Sequence, residues 1–190
     1  MNVMVTGYGE AAETTAANRR DTNFRATVRA AVLSAVDMSK CRVESTRTAL
    51  VFLTRTGEQW PTVWRNLNLS RHPILPSYFP SIVHNSAIGQ LSIELSITGP
   101  QIALVSGDVV KVAAQQIELG RATHVIVCSY EIGDIARSII IENNSARVGV
   151  PLPRVPIKAR ENSLNYFQRQ FEEIKEKLNG QLPRVHRALG

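Results

Sequence analysis

Cysteine is scarce in this chain: two residues, Cys41 and Cys128, stand far apart among 190. They form neither a metal-type spacing nor a disulfide framework, so the expectation is a protein of the reducing cytoplasm. Long apolar runs are missing as well. None approaches the roughly 18–20 residues that a bilayer-spanning helix needs, so no membrane span is expected. The opening MNVMVTGYGE lacks a basic segment and a long apolar one, and does not read as a secretory signal. Histidine is sparse too. The four, His72, His84, His124 and His186, are scattered, and no metal site is expected from them. There is no internal repeat and no low-complexity tract.

What is present is an ordinary globular composition, 44% apolar and 20% charged, long enough for one real hydrophobic core. The net charge of +6 is uneven. From Arg147 onward nine Lys/Arg face four Glu, which places five positive charges in the last quarter. A basic tail favours an acidic partner. Phe167 and Phe171 fall on an apolar stripe rather than on a stacking platform, so nucleic-acid binding is not expected.

Periodicity divides the chain into alternating elements. Residues 2–6 read as a strand, followed by a turn at Gly7-Tyr8-Gly9. Residues 22–37 read as a helix, with Phe24, Val28, Val32 and Val36 on one face. Residues 48–53 (TALVFL) suit a buried strand. Trp60, Val63, Trp64 and Leu67 suit a short helix, and the prolines of 72–80 demand a loop. Residues 85–98 read as a helix stopped by Gly99-Pro100, and 101–106 as a strand. Residues 108–119 read as a helix apolar on most sides and hence buried. Residues 124–129 (HVIVCS) read as another buried strand, and 139–141 as a continuation of the sheet. A Pro-rich arm, 142–160, precedes a helix whose Leu164, Phe167, Phe171, Ile174 and Leu178 step by 3, 4, 3 and 4. Docking of that stripe on the chain's own core is at least as well supported as a coiled coil. The alternation implies an α/β fold with a mostly parallel sheet covered on both faces.

Several groups bear on chemistry. Gly7-Tyr8-Gly9-Glu10-Ala11-Ala12 formally matches a dinucleotide-binding turn. The acid that should end a second strand is lacking, because Asp37 ends a helix. A plain glycine turn is the better reading, and no cofactor is expected. Ser106-Gly107-Asp108 joins a strand to a helix. Asp108 there is a natural N-cap, and Ser106 lacks the flanking glycines of a nucleophile elbow. His84 precedes a helix that Asn85 or Ser86 would cap. It has the chemistry of a general base. Cys128, in a buried strand, reads as a small apolar residue.

The run from Pro80 to Glu131 resembles β-ketoacyl synthases, the condensing enzymes of the thiolase-like superfamily. The residues that carry the resemblance are Phe79-Pro80, Val83-His84-Asn85-Ser86-Ala87, Gly89-Gln90-Leu91-Ser92-Ile93, Gly99-Pro100, Ser106-Gly107-Asp108, Gly120 and His124–Glu131. Upstream, Thr48–Gly57 is similar to the family's second strand and turn. The resemblance covers about residues 2–141 and implies a thiolase-like half-fold. It divides the chain into a synthase-like N-terminal-half domain (1–141), a Pro-rich arm (142–160) and a basic amphipathic helix with its tail (161–190).

The resemblance also implies what is changed. Active condensing enzymes open the central helix with a cysteine; here that position is Asp108, or Gly107 by an alternative count. Nothing after Ile141 is similar to the family's C-terminal half, the source of its catalytic histidine pair. The variant is similar to synthase-like proteins of aryl-polyene and pigment pathways and to chain-length factors. The implied function is a non-condensing accessory subunit in bacterial fatty-acid or polyketide biosynthesis. It would pair with itself or with an active ketosynthase and dock an acyl carrier protein through its basic end. The alternative is a cysteine-independent acyl-thioester hydrolase, transferase or dehydratase using His84, Ser106 and Asp108. A small dinucleotide-binding domain at Gly7 and Gly9 is a third reading. An isolated half-fold would also expose an apolar face too large for a monomer, to be covered by the last helix or by a second chain.

Overall fold

The structure, a computed structural model, describes residues 3–17, 22–57, 85–143 and 149–181. Six strands form one sheet: β1 (Val3–Ala11), β2 (Thr48–Leu53), β3 (Gln101–Leu104), β4 (His124–Ser129), β5 (Ala136–Asn143) and β6 (Val150–Pro151). Among the described residues four helices flank it: α1 (Asn23–Ser39), α2 (Ser86–Glu94), α3 (Val109–Glu118) and α4 (Ser163–Gln181). The order across the sheet is β3-β2-β4-β5-β1-β6.

The fold class is the expected α/β, and the sheet is mixed. β3, β2 and β4 run parallel, whereas β5, β1 and β6 join by antiparallel pairings. The reason is local. β4 and β5 are separated by only the turn 130–135, too short for the crossover that a parallel neighbour requires. The central strands are buried on both faces, β2 without exception, which explains their continuous apolar runs.

Each face carries its own core. On one, Leu50, Phe52, Ile126, Cys128 and Ile140 meet Phe24, Val28 and Val32 of α1 and Ile88 and Leu91 of α2. On the other, Val51, Leu53, Val125, Val127, Ile139 and Ile141 meet α3 and α4. Phe167, Phe171, Ile174 and Leu178 of α4 belong to that second core. The last helix thus docks on its own sheet. Tyr8 of β1 fixes it, packing edge-on against Phe171 at 5.8 Å and donating its hydroxyl to Asn179 at 2.8 Å. An ion pair between Lys175 and Glu10 adds a third tie.

Three expectations change. The turn at Gly7-Tyr8-Gly9 does not exist; both glycines lie inside β1, which runs on to Ala11. A Cβ on Gly9 would stand 2.2 Å from the Ala31 carbonyl oxygen, and one on Gly7 2.6 Å from that of Ala35. The glycines therefore let α1 lie close on the strand, and no loop is left there to cradle a pyrophosphate. Helix α3 is amphipathic rather than buried all round, with Lys111, Gln115 and Glu118 exposed. The arm expected over 142–160 is partly sheet: β5 extends to Asn143, and Val150–Pro151 pairs with Met4 and Val5. The helix and loop expected over 60–80 lie outside the described residues.

Candidate functional site

The parallel strands β2, β3 and β4 end together, and sites in open α/β sheets form at such carboxyl ends. Two clusters gather there. Past β2, the Glu131 carboxylate accepts the Thr54 hydroxyl at 3.1 Å, the Thr56 N–H at 3.3 Å, the Thr56 hydroxyl at 2.5 Å and the Arg55 N–H. The Thr54 hydroxyl oxygen in turn accepts the Gly57 N–H at 2.9 Å. One acid at the end of β4 therefore sets the path of the chain as it leaves β2. Beneath it Tyr130 is buried against Phe24, which raises its pKa through lost solvation.

The second cluster surrounds Asp108. Gly107 takes a φ of +115°, open to glycine, and turns the chain from β3 into α3. Its N–H donates to the Ser163 hydroxyl at 2.7 Å, at the first residue of α4. Asp108 is the N-cap of α3 as expected, and its carboxylate accepts the Lys111 N–H at 3.1 Å. Two more donors reach it from α4, the Gln170 amide and the Tyr166 hydroxyl, each at 3.4 Å. Tyr166 shares its single hydroxyl proton between Asp108 and the Val155 carbonyl, the latter at 3.0 Å. Burial raises the Tyr166 pKa, and the Asp108 charge adds to it, so the phenol remains a donor.

The predicted candidates separate. Asp108 is half-buried and engaged on three sides. Ser106 is exposed just before it. His84 lies outside the described residues. Asn85 occupies the cap position of α2 through its backbone, with no side-chain cap bond. His124, the one described histidine, opens β4 at the opposite end of the parallel strands. Cys128 is buried, and burial pushes its thiol far above its ordinary value, as an inert core residue requires. Nothing in the sequence pattern pointed to Ser163, Tyr166 or Gln170. Tyr166 and Gln170 reach Asp108, and Ser163 reaches Gly107, from some 60 positions away, and no local spacing encodes those contacts.

No protein-family model matches the chain, and no curated protein matches it in sequence. Solved structures do match in three dimensions. The type II polyketide synthase complex AntDE:AntF, an acyl-carrier protein with its ketosynthase bound to the hexaketide, aligns at a TM-score of 0.64 and 13% identity. The alignment covers 74% of this chain and 63% of that one. The ketosynthase ApeO in complex with its chain length factor ApeC, from Xenorhabdus doucetiae, aligns at 0.53 and 18% identity, over 76% of this chain and 80% of that one. A β-ketoacyl synthase from Burkholderia phymatum STM815 aligns at 0.57 and 11% identity, over 75% and 59%.

The fold is thiolase-like. At these identities the likeness is one of fold alone. The chain spans less than two thirds of the matched chains in the first and last of these structures. In the ApeO–ApeC complex the overlap is a similar share of both chains. Among the described residues no helix is long and apolar enough to cross a membrane.

Proposed function

We propose that this chain is a non-condensing, ketosynthase-like accessory subunit of fatty-acid or polyketide biosynthesis, paired with an active ketosynthase or with a second copy of itself. The observation that carries the reading is Asp108. It stands where the resemblance places the condensing cysteine, and it is committed to capping α3 and holding α4. A carboxylate so engaged forms no acyl thioester. The likeness to the complex of the ketosynthase ApeO with its chain length factor ApeC supports a subunit that works beside a synthase.

Pairing is supported by the edge strand β3. Among the described residues only β2 bonds to it, and Gln101 and Ala103 stand exposed along it, with Val105 exposed just past its end. An open edge of this kind invites another strand. A carrier-docking role is supported by the arm before α4, where the exposed Ile157 is flanked by Arg154, Lys158 and Arg160, all exposed. Basic side chains around an apolar contact suit an acidic carrier protein. The segment 1–141 would supply the synthase-like body and 161–190 the covering helix. Hydrolase, transferase or dehydratase chemistry at His84, Ser106 and Asp108 has less support, since Asp108 is occupied.

The test is solution mass by light scattering, alone and after co-expression with a cysteine-bearing ketosynthase and an acyl carrier protein of the same organism. A stable pair that weakens on Ala103→Lys or Val105→Lys is expected. A monomer that binds neither protein overturns the proposal, and thioester turnover abolished by Ser106→Ala would support the alternative.

A further inference from the structure

At the other end of the sheet, on the face covered by α1 and α2, three ligand-type side chains from distant parts of the chain converge. The Cys41 sulfur, a ring nitrogen of His124 and a carboxylate oxygen of Glu142 all lie within 4.8 Å of one another. Cys41 follows the left-handed cap at Lys40 that ends α1, its N–H held by the Ser39 hydroxyl at 3.0 Å. His124 and Glu142 are direct cross-strand partners on β4 and β5. Cys41 is 8% exposed and Glu142 6%.

The outer atoms of the pair are already held. The Nδ1 of His124 lies 3.0 Å from the Thr123 hydroxyl, and Glu142 Oε1 accepts the Thr6 hydroxyl at 2.9 Å. Thr6 is aimed there by a register shift between Val5 and Gly7, as bulges commonly re-aim a side chain. The His124 Nε2 and the Glu142 Oε2 face each other at 3.9 Å. A charged hydrogen bond would close to about 2.7–2.9 Å. In a tetrahedral site with metal–ligand bonds of about 2.0–2.3 Å, ligand atoms stand roughly 3.3–3.7 Å apart. The gap is too wide for the first and within a small side-chain adjustment of the second. Threonine hydroxyls on the outer atoms are the supporting shell that orients metal ligands.

We propose that Cys41, His124 and Glu142 bind a divalent transition metal of the zinc class, with water as fourth ligand. Sulfur, imidazole nitrogen and carboxylate oxygen are all zinc donors. On binding, the Cys41 thiol loses its proton to solvent and the metal sheds waters. The site lies opposite the Asp108 cluster, so its role is structural: it ties the exit of α1 to β4 and β5.

The test uses the full chain, kept reduced with a non-chelating phosphine. Metal content and zinc titration should give one ion per chain and a raised Tm. Cobalt(II) should give tetrahedral visible bands with a near-ultraviolet thiolate-to-metal band. Cys41→Ser should abolish that band while Cys128→Ala keeps it, which separates this site from adventitious binding at other histidines. Thr123→Val and Thr6→Val leave the ligands intact and should weaken zinc binding by about 10–100-fold. Should the ligand variants misfold, these two carry the test. Folded wild-type chain that shows no thiolate band, or zinc affinity unchanged by Cys41→Ser or by both threonine variants, overturns the proposal.

Discussion

The Tyr166 hydroxyl and the Asp108 carboxylate, 3.4 Å apart, join the last helix to the first turn of α3 at the carboxyl edge of the sheet. Position 108 is thereby part of the packing between two helices, and its side chain works at several contacts at once.

Replacing Asp108 tests that role. Asp108→Ala removes the cap and both contacts to α4, and should cost about 1–2 kcal/mol, the upper range for a cap. Asp108→Asn keeps an accepting oxygen for the Lys111 N–H and should cost less. Urea midpoints of the two variants against wild type give the order.

Phe171 measures how much α4 contributes to the body of the fold. It is fully buried between Tyr8 and the second core. Phe171→Ala should cost about 3–5 kcal/mol. Hydrogen exchange should then speed up in α4 and along β1, while α1 and α2 on the opposite face stay protected.

The glycines predict opposite outcomes for one substitution. Gly9→Ala forces a Cβ against the α1 backbone and should destabilise strongly, because a backbone carbonyl cannot rotate away. Gly89→Ala, inside α2 with open space around the new methyl, should stabilise by up to about 1 kcal/mol. Paired thermal melts show whether the two effects have opposite signs.

Acid should loosen the arm. Arg169 forks onto Glu161 and also donates to the Pro156 carbonyl. That hydrogen bonding, chiefly, holds the Glu161 pKa down at about 2 against an ordinary 4.5. A depressed carboxyl pKa contributes stability that is complete above the unfolded value and is lost as pH falls through the folded one. The contribution should therefore fade between about pH 4.5 and 2. An NMR titration of Glu161 should show its midpoint return toward 4.5 in Arg169→Gln.

The sequence carried the elements whose signal is local. TALVFL and HVIVCS are apolar throughout because both faces of their strands are covered, and β2 and β4 keep the expected limits. The stripe of α1 and the heptad-like stripe of α4 point to their cores as read, because a helix of that length records its buried face in its spacing. Asp108 as an N-cap was legible because capping involves a residue and its own next turn.

Tertiary structure decided whatever depends on which strands become neighbours. A glycine pair reads alike in a turn and in a strand, and only the approach of α1 to β1 shows why Gly7 and Gly9 lack side chains. The antiparallel half of the sheet follows from a short β4–β5 turn that leaves no room for a crossover. Tyr166 and Gln170 meet Asp108, and Cys41 meets His124 and Glu142, because the sheet order brings distant segments together. Spacing along a chain records its local periodicity; contacts across a sheet depend on pairing, which no single segment encodes.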